Sequence, residues 1–407
     1  MTEDSGYRPS LMRRKRGNAL THMLTAVIAA GIAIGLLLAF GNPASGEPGS
    51  LPGGDAVPSP AGSPGPLTGS EQAVVSKVKP GVVIINTTLH YNSEAAAGTG
   101  MVINADGLVL TNNHVIEDST GITATVAGKT YRAQVIGYDK TGDIALIRLR
   151  DASGLTTVPI GNSSAVKAGE KVVALGNAGG QNTVTAAAGQ VTGLNQTITA
   201  SDEAGSTSSE TLRGMIQTNA NIVAGDSGGP LAGSSGVIGM DTAGNNAGDQ
   251  MATGFAIPIN TALAVARQIA AGQASSTVTI GYPPFLGIFT GSGSDSSPQA
   301  QAQQQNGSAA GPACYNSNAG LTDPSAIAPV SSGTLVVGTI CGSPAAGAGL
   351  TGGAVITAVN GQAVGSPDSL SGILARFHPG DTISVAWVSP SGKRTTSSIR
   401  LAAGPPQ

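Results

Sequence analysis

Gly225-Asp226-Ser227-Gly228-Gly229-Pro230 is the stretch of this 407-residue sequence that best indicates its fold and chemistry. A serine between glycines on a tight turn exposes a nucleophilic hydroxyl beside free backbone N–H groups. Glycine permits the backbone dihedrals that point such N–H groups at a developing oxyanion. We therefore expect Ser227 to be a nucleophile, and the N–H groups of Gly225 and Ser227 to form an oxyanion hole.

Two upstream segments supply the other groups that a serine nucleophile needs. His114 ends the segment Thr111-Asn112-Asn113-His114, and Asp143 begins Asp143-Ile144-Ala145-Leu146. Of the four histidines, only His114 joins a strand-like run to a short polar loop, where a base is both supported and accessible. Each motif alone would more often be a structural histidine or an ordinary glycine turn. Together, in the order His, Asp, Ser, they predict a catalytic triad.

The serine segment also matches G-x-S-x-G, the nucleophile elbow of α/β-hydrolases. That elbow requires a strand before the serine, a helix after it, and then an acid and a base downstream. Here a short apolar, strand-like run follows at 236–240, and the only downstream histidine is His378. The sequence therefore favours the triad over the elbow.

Composition indicates a turn-rich β protein. Charged residues make up 11% of the chain and the net charge is −3, with no basic patch, so nucleic-acid binding is not expected. The 60 glycines and 24 prolines suit many turns and low-complexity linkers. No phosphate-binding glycine motif and no metal-ligand spacing occurs, so neither a cofactor nor a metal is predicted. Between residues 71 and 272 short apolar runs alternate with turn residues, which predicts antiparallel barrels or a sandwich closed by a helix over 261–271.

The first 70 residues read as a membrane-targeting segment followed by a tether. The basic cluster Arg13-Arg14-Lys15-Arg16 precedes an apolar run of about 22 residues, which is long enough to cross a bilayer. We expect a cytoplasmic tail (1–18) and a transmembrane anchor (19–41), with the bulk of the chain translocated. A cleaved signal peptide is the alternative. Residues 42–70 are rich in Pro, Gly and Ser and predict a mobile linker.

A second compact region is predicted over 281–401. Strands are expected over 333–340, 354–359, 382–388 and 395–401, with a helix that Ser366 caps. The apolar face of that helix would comprise Leu370, Ile373, Leu374 and Phe377. A Ser/Gln/Gly-rich insertion near 291–311 predicts a disordered loop.

Both cysteines, Cys314 and Cys341, fall in this second region. If the region is translocated, its surroundings are oxidising, and two cysteines most simply form one disulfide. The alternative is a pair of buried or free thiols. Neither cysteine has a second ligand at metal-binding spacing.

The three motifs together resemble the HtrA (DegP-like) family of membrane-anchored or secreted serine proteases, over about residues 71–401. The resemblance extends to Gly254-Phe255-Ala256-Ile257-Pro258 before the closing helix. It implies a mainly β fold with a chymotrypsin-like double β-barrel, and a triad in which Asp143, not Asp139, is the acid. It also implies a homotrimeric endopeptidase acting on misfolded or unfolded extracytoplasmic proteins. The alternative is a non-proteolytic chaperone or scaffold, which would not need the intact triad.

The resemblance carries two further expectations. Residues 281–401 are similar to a PDZ domain, an α+β module that would bind peptide C-termini. Phe285-Leu286-Gly287-Ile288 is similar to its carboxylate-binding loop, and the alternative is an ordinary edge strand. This chain departs from the family at Asp226, where the family usually has Asn.

Asn221 lies six residues before the expected nucleophile, where trypsin-like enzymes place the base of the primary specificity pocket, so the resemblance implies that role for it. The lining of this pocket is predicted to comprise Asn221, Ile222, Asp241, Thr242 and Ala243. Because no acid occupies the position of Asn221, cleavage after Arg or Lys is disfavoured. We expect cleavage after small or medium aliphatic residues.

Overall fold

The computed structural model describes residues 67–89, 94–201, 209–244, 253–290, 294–303, 314–316 and 326–406. The predicted basic tail and anchor, and all but the last residues of the predicted linker, lie outside these ranges. Within the ranges, no helix has both the length and the apolar character needed to span a bilayer.

The described chain is mainly β. Its strands are β1 (Val82–Leu89), β2 (Glu94–Asn104), β3 (Leu108–Thr111), β4 (Gly121–Val126), β5 (Lys129–Asp139), β6 (Ile144–Leu149), β7 (Lys171–Gly176), β8 (Thr185–Ser201), β9 (Ser209–Thr218), β10 (Pro230–Gly233), β11 (Gly236–Gly244), β12 (Gly254–Pro258), β13 (Val278–Ile280), β14 (Pro284–Phe285), β15 (Ile288–Thr290), β16 (Thr334–Thr339), β17 (Val355–Val359), β18 (Gln362–Ala363), β19 (Thr382–Val388), β20 (Arg394–Arg400) and β21 (Ala402–Ala403). Its helices are α1 (Gly69–Val78), α2 (Asn113–Ile116), α3 (Ile259–Ala270), α4 (Pro298–Gln303), α5 (Pro344–Gly347) and α6 (Pro367–Leu374), with short 3-10 turns at Lys79–Gly81, Ser163–Ala165 and Ala178–Gly180.

The first twelve strands form two closed barrels. The first sheet runs in the order β13-β5-β4-β1-β2-β3-β6 and closes because β5 also pairs with β6. The second barrel runs in the order β10-β11-β12-β9-β8-β7. Strand β4 shows the pattern that permits this, since Ile122, Ala124 and Val126 are buried at every second position. The mainly β, barrel-like prediction is therefore confirmed.

The barrel region is longer at both ends than the predicted domain of 71–272. Helix α1 begins at Gly69 because Thr68 and Glu71 form a capping box, in which the Thr68 N–H donates to Glu71 Oε2 at 2.7 Å. The last two residues of the predicted linker are thus helical. Beyond α3, strand β13 pairs with β5 and extends the first sheet.

The C-terminal region has its own core beneath a sheet in the order β15-β16-β17-β19-β20, with β18 pairing to β17. Ser366 caps α6 as predicted, through its side chain and the N–H of Ser369. The helix ends at Leu374, so Phe377 lies beyond it, although Phe377 still packs against the same core.

Helix α4 overturns the prediction of a disordered loop for residues 294–303. Gln301 is only 1% exposed, and its amide nitrogen donates to the carbonyls of Asp295 (2.8 Å) and Gly333 (2.7 Å). Its amide oxygen accepts from the Leu335 N–H at 2.7 Å. The composition of this segment suggested too little apolar area to fold, but one buried side chain pairs three backbone groups. Next to this region, Cys314 and Cys341 form a disulfide.

Candidate active site

The two barrels each supply part of the predicted triad. His114 lies on α2, directly after β3, and Asp143 lies in the turn between β5 and β6 of the first barrel. Ser227 lies in the loop between β9 and β10 of the second barrel. We call residues 219–229 the serine loop. The site is therefore formed where the two barrels meet.

His114 and Asp143 are held together by several hydrogen bonds. The Nδ1 atom of His114 lies 3.0 Å from both carboxylate oxygens of Asp143, and the His114 N–H donates to Oδ1 at 3.1 Å. Asp143 is 2% exposed, and the Asn112 side chain donates to its carbonyl at 2.8 Å. A carboxylate at Nδ1 favours the tautomer with its proton there, which leaves Nε2 as the nitrogen that can accept a proton.

Thr242 on β11 links Asp143 to Ser227. Its hydroxyl donates to Asp143 Oδ2, and its carbonyl accepts from the Ser227 hydroxyl at 3.3 Å. Thr242 therefore orients the acid and contacts the serine. This corrects the predicted pocket, because the Thr242 side chain faces the triad instead of a substrate side chain. Sequence reasoning selected the residue but assigned it the wrong role, since a β-strand threonine gives no sign of its tertiary partner.

The N–H groups of Gly225 and Ser227 are oriented by the carbonyls of their own peptide units. In the unit before Gly225, the Ala224 carbonyl accepts from the Gly179 N–H at 2.7 Å. In the unit before Ser227, the Asp226 carbonyl accepts from the Gly229 N–H at 2.8 Å. Because N–H and C=O point in opposite directions in a trans peptide, both N–H groups are directed away from these anchors. Neither donates to an acceptor within the described ranges, which is the state that an oxyanion hole requires.

Thr99 of the first barrel fixes the serine loop from the other side. Its N–H donates to the Ser227 carbonyl at 2.8 Å, and its hydroxyl donates to the Gly225 carbonyl at 2.6 Å. The same hydroxyl accepts from the Asn177 N–H at 2.9 Å. Sequence reasoning missed Thr99, and its only signal is a polar residue in a strand of small and apolar residues. It is 0% exposed, so every polar atom needs such a partner.

Two further carboxyl groups, those of Asp226 and Asp241, are buried near Ser227 at 5% and 0% exposure. Burial raises the pKa of Asp226 to about 6, against a smaller opposing effect of the Val223 N–H that it accepts. Burial, together with the charge of Asp226, raises the pKa of Asp241 well above its usual value. Asp241 is thus fully enclosed, which corrects its predicted place on the wall of an open pocket. No group of three or more His, Cys, Asp or Glu is placed to hold a metal ion within the described ranges.

The remaining predicted pocket residues lie on two neighbouring segments. Asn221 is exposed, and Ile222 is 3% exposed and packs over Gly254, whose Cβ position would lie 2.5 Å from Ile222 Cδ1. Ala243 pairs with Phe255 across β11 and β12.

The predicted carboxylate loop lies at the edge of the C-terminal sheet. Strand β15 is the terminal strand in the order of that sheet, so its outer edge has no strand partner there. The N–H groups of Leu286 and Gly287 donate to no acceptor in the described part of the chain. Gly287 has a φ of +81°, and the Ser343 hydroxyl donates to its carbonyl at 3.0 Å.

Several known proteins are similar in sequence to this chain. Residues 98–240 match the family model described as Trypsin-like peptidase domain. The serine protease PepD of Mycobacterium tuberculosis is 31% identical over 94% of this chain and 77% of its own length. A probable periplasmic serine endoprotease, DegP-like, of Chlamydia pneumoniae is 35% identical over 74% of this chain and 54% of its own length. A solved structure of the HtrA-type protease AlgW with a tripeptide aligns at 27% identity over 83% of this chain and 98% of that one, with a TM-score of 0.44. The chain belongs to the HtrA family of serine proteases and is a serine-type endopeptidase with a trypsin-like peptidase domain.

Proposed function

We propose that Ser227, His114 and Asp143 are the catalytic residues of this endopeptidase. Ser227 attacks the peptide carbonyl, His114 takes the hydroxyl proton and returns it to the leaving amine, and Asp143 orients the imidazole and stabilises its charged form. The observation that supports this most directly is the placement of Asp143 on His114 Nδ1 at 3.0 Å, with Thr242 linking Asp143 to Ser227.

The N–H groups of Gly225 and Ser227 would hold the oxyanion of the tetrahedral intermediate. Their peptide units are anchored before substrate arrives, so no reorganisation is needed when charge develops. Loss of one such donor typically lowers turnover by about 10²–10³.

Substitution of the nucleophile tests the triad. Ser227→Ala should lower turnover on an unfolded protein such as casein by about 10⁶. It should also abolish labelling by a fluorophosphonate probe, because the probe reacts only with an activated serine. Ser235→Ala, at an exposed serine of the same barrel, is the matched control and should retain both. Unchanged cleavage by Ser227→Ala would remove this serine from the mechanism and favour a non-proteolytic binding protein.

We propose that substrates are cleaved after small or medium aliphatic residues. Asn221 carries no charge and Ile222 is apolar, so nothing at these positions would pair with an Arg or Lys side chain. Mass-spectrometric mapping of cut sites in an unfolded protein checks this. A dominant preference for Arg or Lys would contradict it.

We propose that residues 281–401 form a PDZ domain that binds peptide C-termini. A peptide could add a strand to the outer edge of β15, while the N–H groups of Leu286 and Gly287 receive its carboxylate. Ile288 on β15 and Leu374 on α6 both pack on the core of this region and would border the groove.

Paired peptides test the proposed groove without altering the protein. A peptide with a free C-terminus and an apolar last residue should bind at least about tenfold more tightly than the same peptide amidated, since the amide loses the charge-assisted hydrogen bonds. Fluorescence anisotropy measures both. Equal affinities would show that the loop does not recognise a carboxylate.

We propose that the enzyme degrades misfolded proteins outside the cytoplasm, as a homotrimer anchored by residues 19–41. The relatives named periplasmic and the apolar run at 19–41 support this location. Protease protection in sealed membrane vesicles tests the orientation, and sedimentation of detergent-solubilised protein tests assembly. Protection from the cytoplasmic side together with a trimer mass is expected; a strictly monomeric active enzyme would contradict the assembly.

A further inference from the structure

Two acidic side chains, one within the serine loop and one beside it, take no part in the proposed triad. Asp226 lies between the two predicted oxyanion donors, and Asp241 immediately precedes Thr242 on β11. The Asp226 carboxyl lies against the backbone of β7, since a Cβ on Gly176 would approach its Oδ1 to 2.5 Å. The two acids are therefore built into the support of the site.

Three of the four carboxyl oxygens have no hydrogen-bond partner within the described residues. Asp226 Oδ2 accepts from the Val223 N–H at 3.0 Å, whereas Asp226 Oδ1 and both oxygens of Asp241 accept nothing. The Asp241 backbone is fully used: its carbonyl accepts from Gly228 N–H (2.7 Å) and its N–H donates to the Gly229 carbonyl (2.8 Å). A buried carboxylate without donors is costly, so these surroundings favour the neutral acid.

Within the described residues, no positively charged side chain compensates the negative charge of Asp226 or Asp241. The effects on Asp226 are burial and the Val223 N–H, and those on Asp241 are burial and Asp226 itself. The described strands packed around them, β10 and β12, contain no ionisable residue, and Lys171 on β7 and Arg213 on β9 are exposed. The Thr242 hydroxyl connects β11 to the carboxylate of Asp143 in the His114–Asp143 pair.

We propose that Asp226 and Asp241 are positioning residues that hold the serine loop in its active arrangement. They do so as a pair in which at least one of the two carboxyl groups is protonated. In this state one negative charge at most is buried beside the predicted oxyanion hole. When the second carboxyl ionises, two unscreened negative charges repel each other across the loop and oppose the developing oxyanion. The hole then loses its alignment, so turnover falls at alkaline pH while substrate binding changes less.

The same pair makes stability depend on pH in a fixed direction. Both acids have a higher pKa in the folded chain than the usual value of about 3.8. The folded chain keeps these protons at pH values where the unfolded chain has lost them. Their contribution to stability is therefore complete below about pH 4 and declines as the pH rises, until about pH 6 for Asp226 and to a higher pH for Asp241. Asparagine cannot ionise, so substitution should remove this decline.

The test measures kcat, KM and Tm from pH 5 to pH 10 for the full-length protein and the variants Asp226→Asn, Asp241→Asn and the double substitution. We expect the wild-type kcat to fall at least about tenfold on the alkaline side. The double variant should retain kcat within about twofold at pH 7 and should lose most of that alkaline fall. Its Tm should exceed the wild-type value increasingly as the pH rises. Asp241→Ala should lower kcat where Asp241→Asn does not, because only Asn keeps a neutral group of the same shape.

Asp106→Asn, the same change at an exposed acid, is the matched control and should leave both profiles unchanged. An alkaline fall in kcat that persists unaltered in the double variant would overturn the proposal, as would loss of activity in Asp226→Asn at pH 7. The inference rests on the proposed triad, and the two fail differently. An unlabelled, inactive wild type contradicts the triad, whereas an active wild type with unaltered variant profiles contradicts only the pair.

Discussion

At the scale of single residues, Thr242 is the side chain whose role the fold reveals most clearly. It is 6% exposed and donates to a carboxylate that already contacts an imidazole. The Thr242 hydroxyl keeps Asp143 in one rotamer, and its hydrogen bond offsets part of the free-energy cost of burying the carboxylate.

Thr242→Val removes that hydroxyl and keeps the shape of the side chain. A hydrogen bond to a charged group contributes about 1.5–3 kcal/mol, so we expect kcat/KM to fall by about tenfold to a hundredfold. Thr242→Ser keeps the hydroxyl and should retain most of the activity. Equal activity in the Val and Ser variants would show that Asp143 is held without this contact.

At the scale of elements, α4 shows how one polar side chain can order a segment. Gln301→Leu leaves the carbonyls of Asp295 and Gly333 and the Leu335 N–H without their partner. Because buried unsatisfied groups cost about 1–3 kcal/mol each, we expect the C-terminal region to lose at least about 2 kcal/mol of stability. Gln299→Leu, on the exposed side of α4, should have little effect. Hydrogen exchange at Leu335 in both variants checks this, and equal protection would contradict it.

The elements also show what the sequence could predict. The strand predicted over 382–388 has these bounds as β19, because an apolar run between turn signals is a local property. The capped start of α6 was readable for the same reason. Its end was not, since Phe377 fits the helical period yet follows a helix that ends at Leu374. Thr99 and Gln301 could not be identified, because their partners lie 126 and 32 positions away in the chain.

At the scale of the whole described chain, the C-terminal region also touches the first barrel: the Asp118 N–H, just after α2, donates to the Pro406 carbonyl at 2.8 Å. The disulfide lies apart from the barrels. It holds the segment of Tyr315 beside β16. The Tyr315 N–H donates to the Thr339 carbonyl of that strand at 2.8 Å.

Removing the disulfide by Cys314→Ser and Cys341→Ser should therefore act locally. The bridge closes a separation of 27 residues and should contribute about 3 kcal/mol to the stability of the C-terminal region. We expect weaker peptide binding but an unchanged rate of fluorophosphonate labelling. Thiol titration of the unreduced, unfolded wild type is the control and should detect none. A large loss of labelling in the double variant would show that the bridge supports the catalytic centre.

The bonds from Thr99 to Gly225 and Ser227 carry a consequence for biosynthesis. Thr99 is made early in translation, and the carbonyls that it binds emerge more than a hundred residues later. Neither half of the chain can hold Ser227 in this position alone, so we expect proteolytic activity only after both barrels have folded and met. A nascent molecule is consequently unable to cleave its neighbours until its second barrel has folded against the first.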